Sequence, residues 1–207
     1  VAVSYVTFGN SASAASSGAT LTTAAFTVAA GDFVFAVTSC AAAQTVSSVN
    51  CSGDAMTQVG SDANLNNNSA NGTLRVYKLE IGSSGSKTVS ATVTGTAWSV
   101  LGAIVVRGAS TVGTPSVVTG TGTALSQSAT VPTGSLALQF FGSGVAIGSL
   151  TGGTAVFSAS DGFEGMAMRY STTSATFTGT TSSSPWAGVS IIVSPPASNS
   201  GQFFAMF

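Results

Sequence analysis

The chain has 207 residues, of which 5% are charged, with five basic and six acidic side chains, a formal net charge of −1 and no histidine. An ordinary soluble domain carries roughly 25% charged residues, so this chain offers no electrostatic footprint for nucleic acid or an anionic membrane. The absence of histidine excludes a Ser-His-Asp nucleophile, and two cysteines alone cannot complete a structural zinc site.

In chain order, the segments read almost entirely as strands. VAVSYVTF (1–8) is the first, and the Ala-rich SASAASSGA (11–19) that follows lacks the Leu, Glu, Lys and Gln that accompany Ala on a helix. ATLTTAAFTV (19–28) and DFVFAVTS (32–39) continue the pattern, and ANLNNNSANG (63–72) is a loop by composition. TLRVYKLEI (73–81) is followed by KTVSATVT (87–94), which puts Val89, Ala91 and Val93 on one face and Thr88, Ser90, Thr92 and Thr94 on the other. WSVLGAIVVR (98–107) is apolar on both faces, the mark of a strand that is central and covered twice, or covered once and packed against a neighbouring subunit. Then come ALSQSATV (124–131), SLALQFF (135–141), GTAVFSA (153–159), MAMRYS (166–171), SATFTG (174–179) and WAGVSIIV (186–193). Many short strands separated by Gly, Ser and Asn predict an all-β antiparallel sandwich.

The two halves resemble each other. VAAGDFVFAV (28–37) matches VPTGSLALQF (131–140), Tyr77 in LRVYK matches Tyr170 in AMRYS, and Trp98 matches Trp186, in the same order. The expected architecture is a jelly-roll-like sandwich of two related four-strand units, one domain over 1–195 with pseudo-repeats at about 19–108 and 124–195. Tyr77, Trp98, Tyr170 and Trp186 are expected as core anchors, with sugar-stacking platforms as the alternative.

Cys40 and Cys51 enclose AAAQTVSSVN, a segment that fits the tip of a hairpin; they are candidates for a disulfide worth about 3 kcal/mol, or for two buried thiols. Asp161 and Glu164 in SDGFEG are close carboxylates flanked by an aromatic, explained more simply by a turn than by acid–base chemistry. GTGTAL (120–125) lacks the final Gly and Lys of a phosphate cradle, and Asp54, Asp62 and Asn64 match no calcium loop. No catalytic, metal or cofactor site is expected. LALQFFGSGVAIGSL (136–150) is too short and too interrupted for a spanning helix. Val1 in place of Met suggests that a residue or leader has been removed.

From Gly108 to Ser160 there is no charged residue at all. A lone domain blunts its strand edges with Lys or Pro and stays soluble through interspersed charge. Either Ser and Thr coat this surface or neighbouring subunits cover it. After Pro195 and Pro196 the β pattern stops, and 196–207 reads as an interaction tail ending in Phe203, Phe204, Met206 and Phe207. It would dock on an adjacent subunit or fold back on its own sandwich.

The order GDFVFAV, AMTQVGSD, LRVYKLEIGSSGSKTVSATV, AWSVLGAIVVRGA resembles a β-sandwich module of tailed-bacteriophage structural proteins over roughly residues 20–195, with Met56 where that module has Trp. The resemblance implies a virion-surface subunit, of capsid-decoration or tail type, that packs against copies of itself and other virion proteins. An extracellular filament subunit and a secreted carbohydrate-binding module, the latter facing a host-surface glycan, are the alternatives.

Overall fold

The computed structural model describes residues 1–14, 20–41, 44–94 and 98–197, with backbone alone at 10–14. The described chain is an all-β antiparallel sandwich. Its first part holds β1 (Ser4–Ala14), β2 (Thr20–Thr22), β3 (Phe26–Val28), β4 (Phe33–Cys40), β5 (Thr45–Cys51), β6 (Asp54–Ala55), β7 (Thr57–Gln58) and β8 (Ala63–Asn64). After two 3-10 turns come β9 (Thr73–Glu80), β10 (Gly85–Lys87), β11 (Val89–Thr94) and β12 (Ser99–Arg107). The second part holds β13 (Thr111–Val112), β14 (Ser116–Ala129), β15 (Leu136–Ser143), β16 (Gly148–Thr151), β17 (Thr154–Ser160), β18 (Gly165–Ser171) and β19 (Ala175–Ser194).

Each part is a unit with a broad sheet and a smaller layer. In the first unit the broad sheet runs β1-β12-β4-β9-β7, with β8 also on β9, and the smaller layer runs β2-β11-β5-β6. In the second unit β14 and β19 form one long antiparallel ribbon whose register breaks between Gly122 and Ala124. Its open half, 116–122 against 184–190, joins a broad sheet in which β19 is followed by β15, β18 and β17. Its other half, 124–129 against 175–180, turns away and takes β16 on its far side. The strand order is therefore the same in both units. One continuous strand, β14, does in the second what β1 and β2 do in the first. The units so defined begin at residues 4 and 116, earlier than the expected 19 and 124, because β1 and the first half of β14 belong to them.

Periodicity places the cores. Alternate residues of β4 and β12 turn to opposite sides: Val34, Ala36, Leu101, Ala103 and Val105 pack under the first unit's smaller layer. Phe35, Val37, Val100, Ile104 and Val106 face the second unit. All eight residues of β4 and all eight of β15 are buried, as strands covered on both faces must be. Phe141 and Gln139 on β15 are roofed by the turned half of this ribbon, where Gln139 Nε2 donates to Gln127 Oε1 at 2.8 Å beside buried Leu125 and Phe177. The stack thus has four layers, with the two broad sheets face to face at its centre.

The tyrosine and tryptophan matches do not survive at the level of register. Leu138 pairs with Tyr170 where Phe35 pairs with Lys78, and Ser143 pairs with Trp186 where Cys40 pairs with Ser99. Each aromatic match is out by one residue, and a slip of one residue turns a side chain to the opposite face. Trp186 points into its own unit, over Gly120, whose added Cβ would lie 2.8 Å from the indole. Trp98 points across to the other unit.

The hairpin expected between Cys40 and Cys51 is absent as well. β4 belongs to the broad sheet and β5 pairs with β11 in the smaller layer, so the two cysteines lie on strands of different layers. Both cysteines are buried free thiols serving as small apolar residues of the first unit's core. Burial pushes the Cys40 thiol up to about 11, which makes it inert rather than reactive.

Candidate functional site

The chemistry-bearing side chains collect in the seam between the two broad sheets. Along the β1/β12 side three aromatic pairs each take one ring from either unit. Tyr5 stacks on Tyr170 with centroids 4.8 Å apart and planes at 14°. Phe8 meets Phe157 at 6.0 Å and 21°. Trp98 meets Phe163 at 4.5 Å and 23°. Such pairs contribute about 0.5–1.5 kcal/mol each beyond the area they bury.

Close approach at the seam depends on two glycines. A Cβ on Gly102 would lie 2.0 Å from Cζ of Phe157, and one on Gly142 would lie 2.6 Å from Oγ of Ser39. Glycine inside an otherwise apolar strand marks such a contact.

Beside Gly142 the seam holds a buried acid. Glu164 has 0% of its surface exposed, and one carboxyl oxygen accepts the hydroxyl of Ser39, itself fully buried. The other oxygen has no hydrogen-bond partner among the described residues. Burial pushes the Glu164 carboxyl well above the usual range, the Ser39 hydrogen bond opposes this, and the charge of Asp161 adds to it.

The remaining charges are largely consumed internally. Arg107 grips the buried Asp32 through two bonds of 2.7 Å, and Ala29 N–H donates to the same carboxylate at 2.7 Å. Burial opposes ionisation of Asp32, but these bonds and the Arg107 charge outweigh it, so its pKa is lowered. Arg75 pairs with Asp62 at 2.8 and 2.9 Å. Arg169, 7% exposed, meets no carboxylate; its guanidinium donates to the carbonyls of Leu150, Gly152 and Gly153.

The expected site residues are thus scattered. Tyr77 and Trp186 are core residues, 8% exposed each. Tyr170 and Trp98 are half-buried seam residues, and Trp98 is no core anchor because its ring lies over the turn that carries Phe163, which is 58% exposed. Asp161 and Glu164 form a turn, Asp161 Oδ1 accepting the N–H groups of Phe163 and Glu164 at 2.9 and 2.7 Å. Asp62 is held by Arg75 and Gln58, Asn64 accepts from Thr73, and Asp54 lies on β6, so these three do not converge on a cation. GTGTAL spans the break in β14, with Gly122 at φ 112. Phe203, Phe204, Met206 and Phe207 lie outside the described residues. Tyr5, Phe8, Phe157, Ser39 and Gly102 had no distinguishing motif; a glycine amid the apolar β12 was the one available signal.

No helix among the described residues is long and apolar enough to cross a membrane. No family model matches the chain, and no curated protein or solved structure is significantly similar to it.

Proposed function

We propose that the chain is a structural subunit of a virion surface, a capsid-decoration or tail protein, which works by packing against copies of itself and against neighbouring virion proteins. The observation that carries this reading is the bare edge of the second unit. β14 and β17 are the outer strands of its broad sheet, and neither contains a charged residue or a proline. Edges without charge or proline invite pairing unless something covers them, and here only a register shift in each strand interrupts them. Several of the few charges that could keep such a surface apart are instead engaged within the chain, in the Asp32–Arg107 and Asp62–Arg75 pairs and in the buried Arg169 and Glu164. The resemblance of the motif order to tailed-phage modules points the same way.

A carbohydrate-binding module is the weaker reading. A sugar platform needs free ring faces, and six of the aromatic rings here are stacked on one another across the seam. A filament subunit would use the same bare edges in an open, repeating contact.

In the proposed assembly the apolar end of the chain is received by a neighbour. Removing residues 197–207 should abolish or sharply weaken association in sedimentation velocity while leaving the thermal transition of the sandwich in place. Undiminished association of the truncated chain would refute tail docking.

A further inference from the structure

The seam holds its two units together partly through a carboxyl group without a counter-charge, and that arrangement has a consequence for pH. Glu164 stands at the start of β18 in the second unit, and Ser39 belongs to β4 in the first, so their hydrogen bond crosses the seam. Three charged or titratable groups act in this region. Asp161, in the same turn, raises the cost of a negative charge on Glu164. Cys40, on β4, is a buried thiol within the electrostatic reach of Glu164. Arg75, on β9, acts on the same thiol, but its guanidinium is bound by two bonds to Asp62. No cation among the described residues is therefore placed to compensate an ionised Glu164, whose second oxygen is both buried and unpartnered. A desolvated carboxylate in that position is strongly disfavoured, and the acid stays neutral.

We propose that Glu164 is a proton-operated latch between the two units: as a neutral acid it stays dry against Ser39 and holds the seam closed, and on losing its proton to solvent it carries the Asp161–Glu164 turn outward, separating Phe163 from Trp98. The geometry makes the movement local. Phe163 is already largely exposed, and the turn is a short link between β17 and β18 fixed by its own Asp161 bonds. The direction follows from linkage. A carboxyl whose folded pKa is raised contributes its full stabilisation below its unfolded value, about 4.3, and that stabilisation declines as pH rises towards the folded value. The seam is tightest in acid and loosens towards neutral and alkaline pH.

The chain's only two tryptophans make the test direct. With Trp186→Phe, Trp98 becomes the sole reporter, and its emission and acrylamide quenching are followed from pH 4 to pH 9. The expected result is a red shift and greater quenching as pH rises, both lost when Glu164→Gln is added, because the amide stays neutral throughout. Asp161→Asn should move the transition to lower pH without removing it. Should Trp186→Phe fail to fold, hydrogen exchange of amides 161–165 in the unaltered chain reads the same opening. A pH profile unchanged by Glu164→Gln, or exchange at 161–165 that rises no faster with pH than the chemical rate, would overturn the latch.

Discussion

Gly102→Val is expected to destabilise the protein by about 3 kcal/mol, at the upper end of the range for overpacking a dense core. The added Cβ would occupy space 2.0 Å from the tip of the Phe157 ring, and β12 cannot retreat because both its faces are packed. Phe157, on the outer strand β17, can yield only by leaving its stack with Phe8. The seam between the two units, not the interior of either one, should bear the damage. For a chain of this length the midpoint should fall by about 6–12 °C, taking about 2–4 °C per kcal/mol. Combining Gly102→Val with Phe157→Ala distinguishes this cause from a general intolerance of valine in β12. The truncated ring leaves room for the new methyl groups, so the double variant should be more stable than the sum of the single effects by at least about 1 kcal/mol. Additive losses in denaturant titrations would show that the clash with Phe157 is not what the glycine avoids.

Arg169→Leu should cost about 3 kcal/mol or more. Its guanidinium donates to the carbonyls of Gly152 and Gly153, and more weakly to that of Leu150; hydrogen bonds to a charged group contribute about 1.5–3 kcal/mol each. Burial without a carboxylate lowers the Arg169 pKa, and the carbonyls serve in place of an anion. They belong to the end of β16 and to the turn between β16 and β17, where Gly152 and Gly153 have φ of 74 and 59. A Cβ at either glycine would sit 2.1 to 2.3 Å from a backbone oxygen. Leucine keeps the apolar stem but leaves those carbonyls without their donor. Thermal melts should show the loss, and hydrogen exchange should place it in β16 and β17 rather than in the first unit. A leucine variant with an unchanged midpoint would mean that water replaces the guanidinium without cost.

What could be read from the amino-acid order was the period-two pattern and little that depends on register. KTVSATVT gave β11 correctly because its apolar and hydroxyl residues alternate, and the two-sided burial of β12 was legible in WSVLGAIVVR. The strand order common to both units follows the matches that begin at Gly31 and Gly134, both of which occupy left-handed turns at φ 82 and 78. The aromatic matches misled because similarity of composition tolerates a slip of one residue, whereas a sheet does not. Cys40 and Cys51 looked like a hairpin pair because spacing along the chain carries no information on which layer each strand joins. Glu164 gave no sign of its burial, since a carboxylate in a Gly-containing turn is ordinarily a surface group. Its place follows from Gly142 and Ser39, which are distant in sequence and adjacent only once the two units have closed.

The most direct measurement is the state of association of the purified 207-residue chain, followed by sedimentation velocity over a range of concentrations and by electron microscopy of the same material. A subunit whose bare edges await partners should form a concentration-dependent, ordered oligomer or array. A monodisperse monomer that remains freely soluble at high concentration, with β14 and β17 open to solvent, would contradict assembly as its role.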